Sequence, residues 1–247
     1  MNLVQCFDIL NPKIIIPQEH AKSQYLTNMK IELKNISLKF EENSPLFKNI
    51  NLMVEHGDFI LIRGKSGIGK SSFLRLLNRL HEPTEGQIWI EDKPITAHHI
   101  TSLRRRIGYL QQTPTMIEGS IEDNLNLPFY FKSGRQLNPP SQQDLEQMLR
   151  NFLLTNINLQ SDAQNLSVGE KQRIALIRTF LSEPKIILCD EPTSALDSES
   201  QQIVENAIEQ INVEKKTTIL LVTHLDFTPK RAIVKKFTLN QDSITGE

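Results

Sequence analysis

An apolar stretch, Phe59-Ile60-Leu61-Ile62, runs into Gly64-Lys65-Ser66-Gly67-Ile68-Gly69-Lys70-Ser71, after which Phe73, Leu74, Leu76, Leu77 and Leu80 recur on one broad helical face. The eight residues from Gly64 fit G-x-x-x-x-G-K-[ST] in full, and a flanking strand and helix turn that pattern into a phosphate site. The glycines let the backbone curl so that successive N–H groups point at phosphate oxygens, and the helix start adds positive potential. Lys70 is placed to reach the β and γ phosphates of a nucleotide, and the Ser71 hydroxyl to bind Mg²⁺. The candidate nucleotide-binding residues therefore run from Gly64 through Ser72. A merely glycine-rich turn leaves the strand before it and the helix after it unexplained.

Other strands agree with an α/β fold. Ile186–Cys189 and Thr218–Val222 are near-continuous apolar runs, as expected of parallel strands buried on both faces. Met29–Leu38 alternates apolar and polar residues like a first strand, and Gln87–Ile90 forms another. From Thr113 to about Asn165 strand signals vanish and Asn138-Pro139-Pro140-Ser141 marks a loop. Leu145, Met148, Leu149, Phe152 and Leu153 then recur at amphipathic helix spacing, so a helical insertion of about residues 113–175 interrupts the nucleotide-binding core. Residues 1–28 contain Asn11-Pro12 and Pro17 and show no sustained periodicity. They are expected to be a loosely attached extension, or to lie upstream of a true start at Met29, with residues 29–247 forming the domain.

The 247 residues carry 28 basic and 29 acidic side chains, a net charge of −1. That balance argues against nucleic-acid binding, which generally draws on a basic excess. The basic run Arg104-Arg105-Arg106 is expected on a solvated loop face. Cys6 and Cys189 cannot make a disulfide framework, which fits a reduced, cytosolic compartment. No apolar stretch approaches the roughly 20 residues of a membrane-spanning helix, and residues 1–28 lack the features of a secretory signal.

Asp190 and Glu191 follow the strand Ile186–Cys189, so both carboxylates emerge at the C-terminal edge of the sheet, where ligands bind in open α/β folds. Asp190 is suited to hold Mg²⁺ through its water shell, and Glu191 to orient and activate an attacking water. A surface ion pair for Glu191 is the plainer reading, but it contributes only about 0–1 kcal/mol and gives no reason for this placement. Ser167 and Glu170, in Leu166-Ser167-Val168-Gly169-Glu170, spell a capping box that opens a helix whose free N–H groups favour anions.

Taken in order, Gly64–Ser71, Gln112, Leu166–Glu170, Ile186–Glu191 and His224 resemble the ATP-binding subunit of ABC transporters, over roughly Ile31 to Leu239. The resemblance implies a P-loop NTPase core of ABC ATPase type, with an antiparallel β subdomain and an inserted helical subdomain. It implies ATP and Mg²⁺ as cofactors and a homodimer in which Ser167, Val168, Gly169 and Glu170 of one copy cap the γ-phosphate bound by the other. It also implies a separate integral membrane permease, with this subunit peripheral on the cytoplasmic face. By the same resemblance Gln112 contacts Mg²⁺ or the attacking water, with Gln111 as its rival. His224 contacts the γ-phosphate, Asp197 belongs to a loop crossing the dimer interface, and Phe40 stacks on adenine. A core role competes for Phe40, since Phe is among the most often buried residues. Val168 stands where most relatives have Gly, which limits close backbone approach, and Leu225 separates His224 from Asp226.

Gln112-Thr113-Pro114-Thr115, Glu122–Pro128 and Glu170–Arg178 are similar to a compact bacterial group of iron-export ATPases. Lipoprotein-release exporters share much of this pattern, and an importer stays open. Non-transport ABC ATPases generally carry a long coiled-coil insertion or two fused domains, and this chain shows one phosphate loop and one signature.

Overall fold

The computed structural model describes residues 29–40, 45–134 and 137–246; the readings made for residues 1–28 lie outside them. Two sheets form. The first is antiparallel, in the order β2-β1-β4-β5, from Ile31–Leu38 (β1), Phe47–Val54 (β2), Glu85–Ile90 (β4) and Lys93–Pro94 (β5). The second contains Phe59–Arg63 (β3), Ile107–Leu110 (β6), Ile186–Asp190 (β7), Thr218–Val222 (β8), Val234–Leu239 (β9) and Ile244–Gly246 (β10). Its order is β10-β9-β3-β8-β7-β6; β9, β3, β8, β7 and β6 run parallel, and only β10 is antiparallel.

Alternation along the parallel strands separates two cores. Ile60, Ile62, Ile186, Leu188, Leu220 and Val222 pack with Phe73, Leu74, Leu76 and Leu77 of the helix Lys70–Leu77 (α1). Phe59, Leu61, Ile187, Cys189, Ile219 and Leu221 point to the opposite face. There they meet the helices Ile121–Tyr130 (α3), Gln142–Asn151 (α4), Val168–Leu181 (α5) and Ser198–Lys215 (α6). Double-sided burial explains why β3, β7 and β8 read as unbroken apolar runs. The helical segment shares that second core with the sheet, and α5 continues to Leu181. Ser120, Ser141 and Ser167 each close a capping box with an acid three residues on, which sets where α3, α4 and α5 begin.

Three sequence expectations change. Helix α1 ends at Leu77 with Asn78 as its C-cap, so Leu80 lies beyond the helix and is exposed. Leu153 follows the end of α4 with a φ of 51° and is also exposed, whereas Leu145, Met148, Leu149 and Phe152 are buried as the spacing requires. The arginine run is not a solvated loop. It forms the last turn of a helix, Ile100–Arg106 (α2), where Arg104 donates to the Asn78 and Arg79 carbonyls and Arg106 pairs with Glu91. Cations are favoured at a helix C-terminus.

Candidate functional site

The phosphate loop joins β3 to α1, and its backbone explains its glycines. Gly64 has a φ of 155°, and a Cβ there would sit 2.6 Å from the Leu239 carbonyl oxygen. Gly69 caps α1 in the left-handed conformation, with a φ of 97°. Between these turns Lys70 is buried, and its Nζ donates to the carbonyl oxygens of Gly64 at 3.0 Å and Lys65 at 3.1 Å. Burial pulls its pKa down, and the carboxylates of Glu191 and Asp190 oppose that shift. The ammonium therefore sits inside the ring of the loop, turned toward its own carbonyls.

Strand alternation delivers Asp190 to the same spot. Asp190 lies two residues beyond Leu188, on the face that packs against α1, and Ser71 Oγ donates to its Oδ1 at 2.8 Å. Its Oδ2 accepts from Tyr109 Oη at 2.7 Å. Arg75 Nε of α1 donates in turn to Tyr109 Oη at 3.3 Å. Burial, then the bond to Asp190, push the Tyr109 phenol above its ordinary pKa, so it keeps its proton. A hydroxyl beside a carboxylate is a hard oxygen set of the kind Mg²⁺ takes, so these residues fit that ion.

Glu191 lies just past the strand with a φ of 47°, in the left-handed region, and its N–H donates to the Val222 carbonyl at 2.9 Å. Such a backbone costs on the order of 1–3 kcal/mol and persists where its surroundings hold it. Both carboxylate oxygens have partners: Oε1 lies 3.0 Å from His224 Nε2, and Oε2 accepts from Gln112 Nε2 at 3.2 Å. Of the two glutamines it is the Gln112 side chain that reaches Glu191, while the Gln111 backbone carbonyl accepts from Gln172 of α5 at 3.3 Å. Leu225 leaves Asp226 to pair with Arg63 at 3.1 Å.

Leu166–Glu170, the segment that resembles the ABC signature, makes a second cluster. Ser167 is the N-cap of α5: its Oγ accepts from the Glu170 N–H at 3.3 Å, and its own N–H donates to Glu170 Oε2 at 2.8 Å. The Ser167 hydroxyl also holds the Glu170 carboxyl below its usual pKa. Val168 is exposed, 55% of its surface facing solvent, although it is apolar. Asp197 caps α6 by accepting from the Ser200 N–H at 2.9 Å, and Ser200 Oγ accepts from Arg173 of α5 at 3.0 Å. This ties the signature helix to Asp197 through two residues that sequence reading missed. Phe40 is 45% exposed, which rules out the core role, and its ring meets that of His81 in a T-shaped contact with centroids 5.3 Å apart.

Lys70, Ser71, Gln112, Asp190, Glu191 and His224 therefore converge at the C-terminal ends of β3, β6, β7 and β8. Ser167–Glu170 and Asp197 gather about the starts of α5 and α6. Tyr109 and Arg75 were not foreseen. Tyr109 carried one usable signal, a phenol on the strand that leads to Gln112.

Comparison with known proteins gives the family and the fold. A family model described as "ABC transporter" matches residues 47–194. ABC transporter I family member 17 of Arabidopsis thaliana is 34% identical over 195 residues, 79% of this chain and 73% of that protein. The ATP-dependent permease MDL1 of Candida albicans is 33% identical over 87% of this chain, which spans only 32% of that protein's length. Among solved structures, the dimeric post-hydrolysis state of the ATP-binding cassette MJ0796 bound to ADP and Pi superposes with a TM-score of 0.73 at 28% identity. That match covers 88% of this chain and 97% of the other. A bacterial Atm1-family ABC exporter with ATP bound shares the fold, with a TM-score of 0.76 at 22% identity over 98% of this chain and 43% of the other.

Proposed function

This chain belongs to the ABC transporter family as an ATP-binding domain, and from that premise we propose that two copies close around two ATP molecules to power a separate membrane permease. The observation that carries the reading is the convergence on one sheet edge of Lys70, Ser71, Asp190 and Glu191, with Gln112 and His224 on the Glu191 carboxylate. The loop from Gly64 to Ser72 cradles the phosphates, and Lys70 exchanges its two carbonyl partners for β- and γ-phosphate oxygens. Ser71 and Asp190 would hold Mg²⁺, whose charge offsets that on the phosphates. Phe40 offers its exposed ring to adenine.

Hydrolysis in this scheme is in-line attack by water on the γ-phosphorus as its bond to the β–γ bridging oxygen breaks. ADP and inorganic phosphate leave, and the water's proton passes to the phosphate and solvent. Glu191 accepts a hydrogen bond from that water and orients it, while His224 and Gln112 hold the carboxylate by its two oxygens. The second copy supplies Ser167, Val168, Gly169 and Glu170, whose helix start faces the γ-phosphate, and the Asp197 loop crosses between copies. Among the described residues no helix is long and apolar enough to cross a membrane. The resemblance to ABC ATP-binding subunits supports a permease on a separate polypeptide, with this subunit working on the cytoplasmic face.

The cargo assigned here is a metal ion, iron, moved outward. That assignment rests on the likeness of Gln112–Thr115 and Glu122–Pro128 to the compact iron-export group. Phosphate release from Mg²⁺ATP by the purified chain, lost in Lys70→Ala, tests the ATPase. Absence of hydrolysis by the wild-type chain with its permease would refute it. Accumulation of iron in cells lacking the chain tests the cargo; unchanged iron content with retained ATPase would leave the engine and remove the iron.

A further inference from the structure

The proton direction in the chain Arg75–Tyr109–Asp190 can be worked out from donor chemistry alone. Arginine has only donors, so Tyr109 Oη must accept from Arg75 Nε. Asp190 Oδ2 accepts, so the single Tyr109 proton goes to it, at 2.7 Å. With Ser71 on Oδ1, both oxygens of a carboxylate that is only 2% exposed are spoken for. Rotating it would break a short, charge-assisted bond at a carboxylate almost wholly withdrawn from solvent. The sheet register brings this about. Tyr109 pairs with Leu188 on the neighbouring parallel strand, so its ring lies on the same face as Asp190, two residues further on.

We propose that Tyr109 is a positioning residue that fixes the plane of the Asp190 carboxylate for the metal, and that Arg75 acts through Tyr109 by keeping its hydroxyl turned to donate. The inference rests on the ATP- and Mg²⁺-site reading above. It adds to that reading a residue on β6, the strand that leads into Gln112. Its consequence is that affinity for Mg²⁺ in the nucleotide-loaded chain depends on a phenol that touches neither metal nor nucleotide.

Binding of a non-hydrolysable fluorescent ATP analogue to the full chain separates these contributions when measured in EDTA and across a Mg²⁺ titration. In Tyr109→Phe the half-saturating Mg²⁺ concentration should rise about tenfold, the usual scale for one hydrogen bond to a charged group, while affinity in EDTA stays within about twofold. Arg75→Met should shift the Mg²⁺ midpoint in the same direction by less, and should add nothing in the Tyr109→Phe background. An unmoved midpoint in Tyr109→Phe overturns the inference. So does an equal loss with and without Mg²⁺, or additive effects of the two substitutions. A wild-type chain whose analogue binding ignores Mg²⁺ overturns the underlying site reading, and the inference with it.

Discussion

His224 Nε2 lies 3.0 Å from Glu191 Oε1, while the other oxygen of the same carboxylate accepts from Gln112 at 3.2 Å. A group that orients water must itself be oriented, and here residues from two other segments do so. Glu191→Gln should therefore bind ATP normally and lose turnover by a factor on the order of 10²–10⁴. Equilibrium nucleotide binding measured beside steady-state phosphate release checks both halves. Normal turnover in the variant would remove Glu191 from the chemistry.

His224→Ala takes away one of the two partners and leaves the carboxylate in place. Its kcat should fall on the order of 10²-fold, as when a single preorganised donor is lost, with little change in KM. Steady-state kinetics decides; a raised KM at unchanged kcat would make His224 a binding residue only.

Gly64→Ala should abolish nucleotide binding by distorting the loop, because the added Cβ meets the Leu239 carbonyl oxygen at 2.6 Å. Gly169→Asp is different. A Cβ there meets only Leu196 Cδ2, at an ordinary 3.4 Å, so the fold should stay intact while a carboxylate is set at the helix start that we propose caps the partner's phosphate. Thermal unfolding should show Gly169→Asp within about 1 kcal/mol of wild type, as for other exposed changes; a large loss of stability would show that Gly169 serves the monomer.

The acid limb of stability follows from three helix starts. Serine hydroxyls hold Asp123 and Glu170 below their ordinary pKa, and the Ser200 backbone N–H does the same for Asp197. A carboxyl with a depressed folded pKa stabilises the fold above its unfolded pKa and loses that contribution as pH falls through the folded one. These three groups should make the melting temperature fall below about pH 4. Glu170→Gln keeps a capping partner but cannot titrate, so its acid limb should be shallower. Thermal melts from pH 3 to 7 compare the two.

The phosphate loop, β3, β7 and β8 were legible because each is coded locally, by a fixed spacing or an unbroken apolar run. Strand β9 was not, since Lys235 and Lys236 interrupt its apolar residues, and β6 holds only four residues, one of them Gly108. Helix α1 was read too long because Leu80 continues the apolar spacing after the backbone has turned at Asn78. The Tyr109–Asp190 and Arg173–Ser200 bonds join residues 81 and 27 positions apart. Strand register and helix packing create those contacts, and neither is written in any one segment.

Size-exclusion chromatography of Glu191→Gln with and without Mg²⁺ATP tests the shared site most directly. A dimer that forms only with Mg²⁺ATP, and that fails to form when Gly169→Asp is added, is the predicted result. A chain that binds ATP and stays monomeric, or a dimer indifferent to Gly169→Asp, would contradict it.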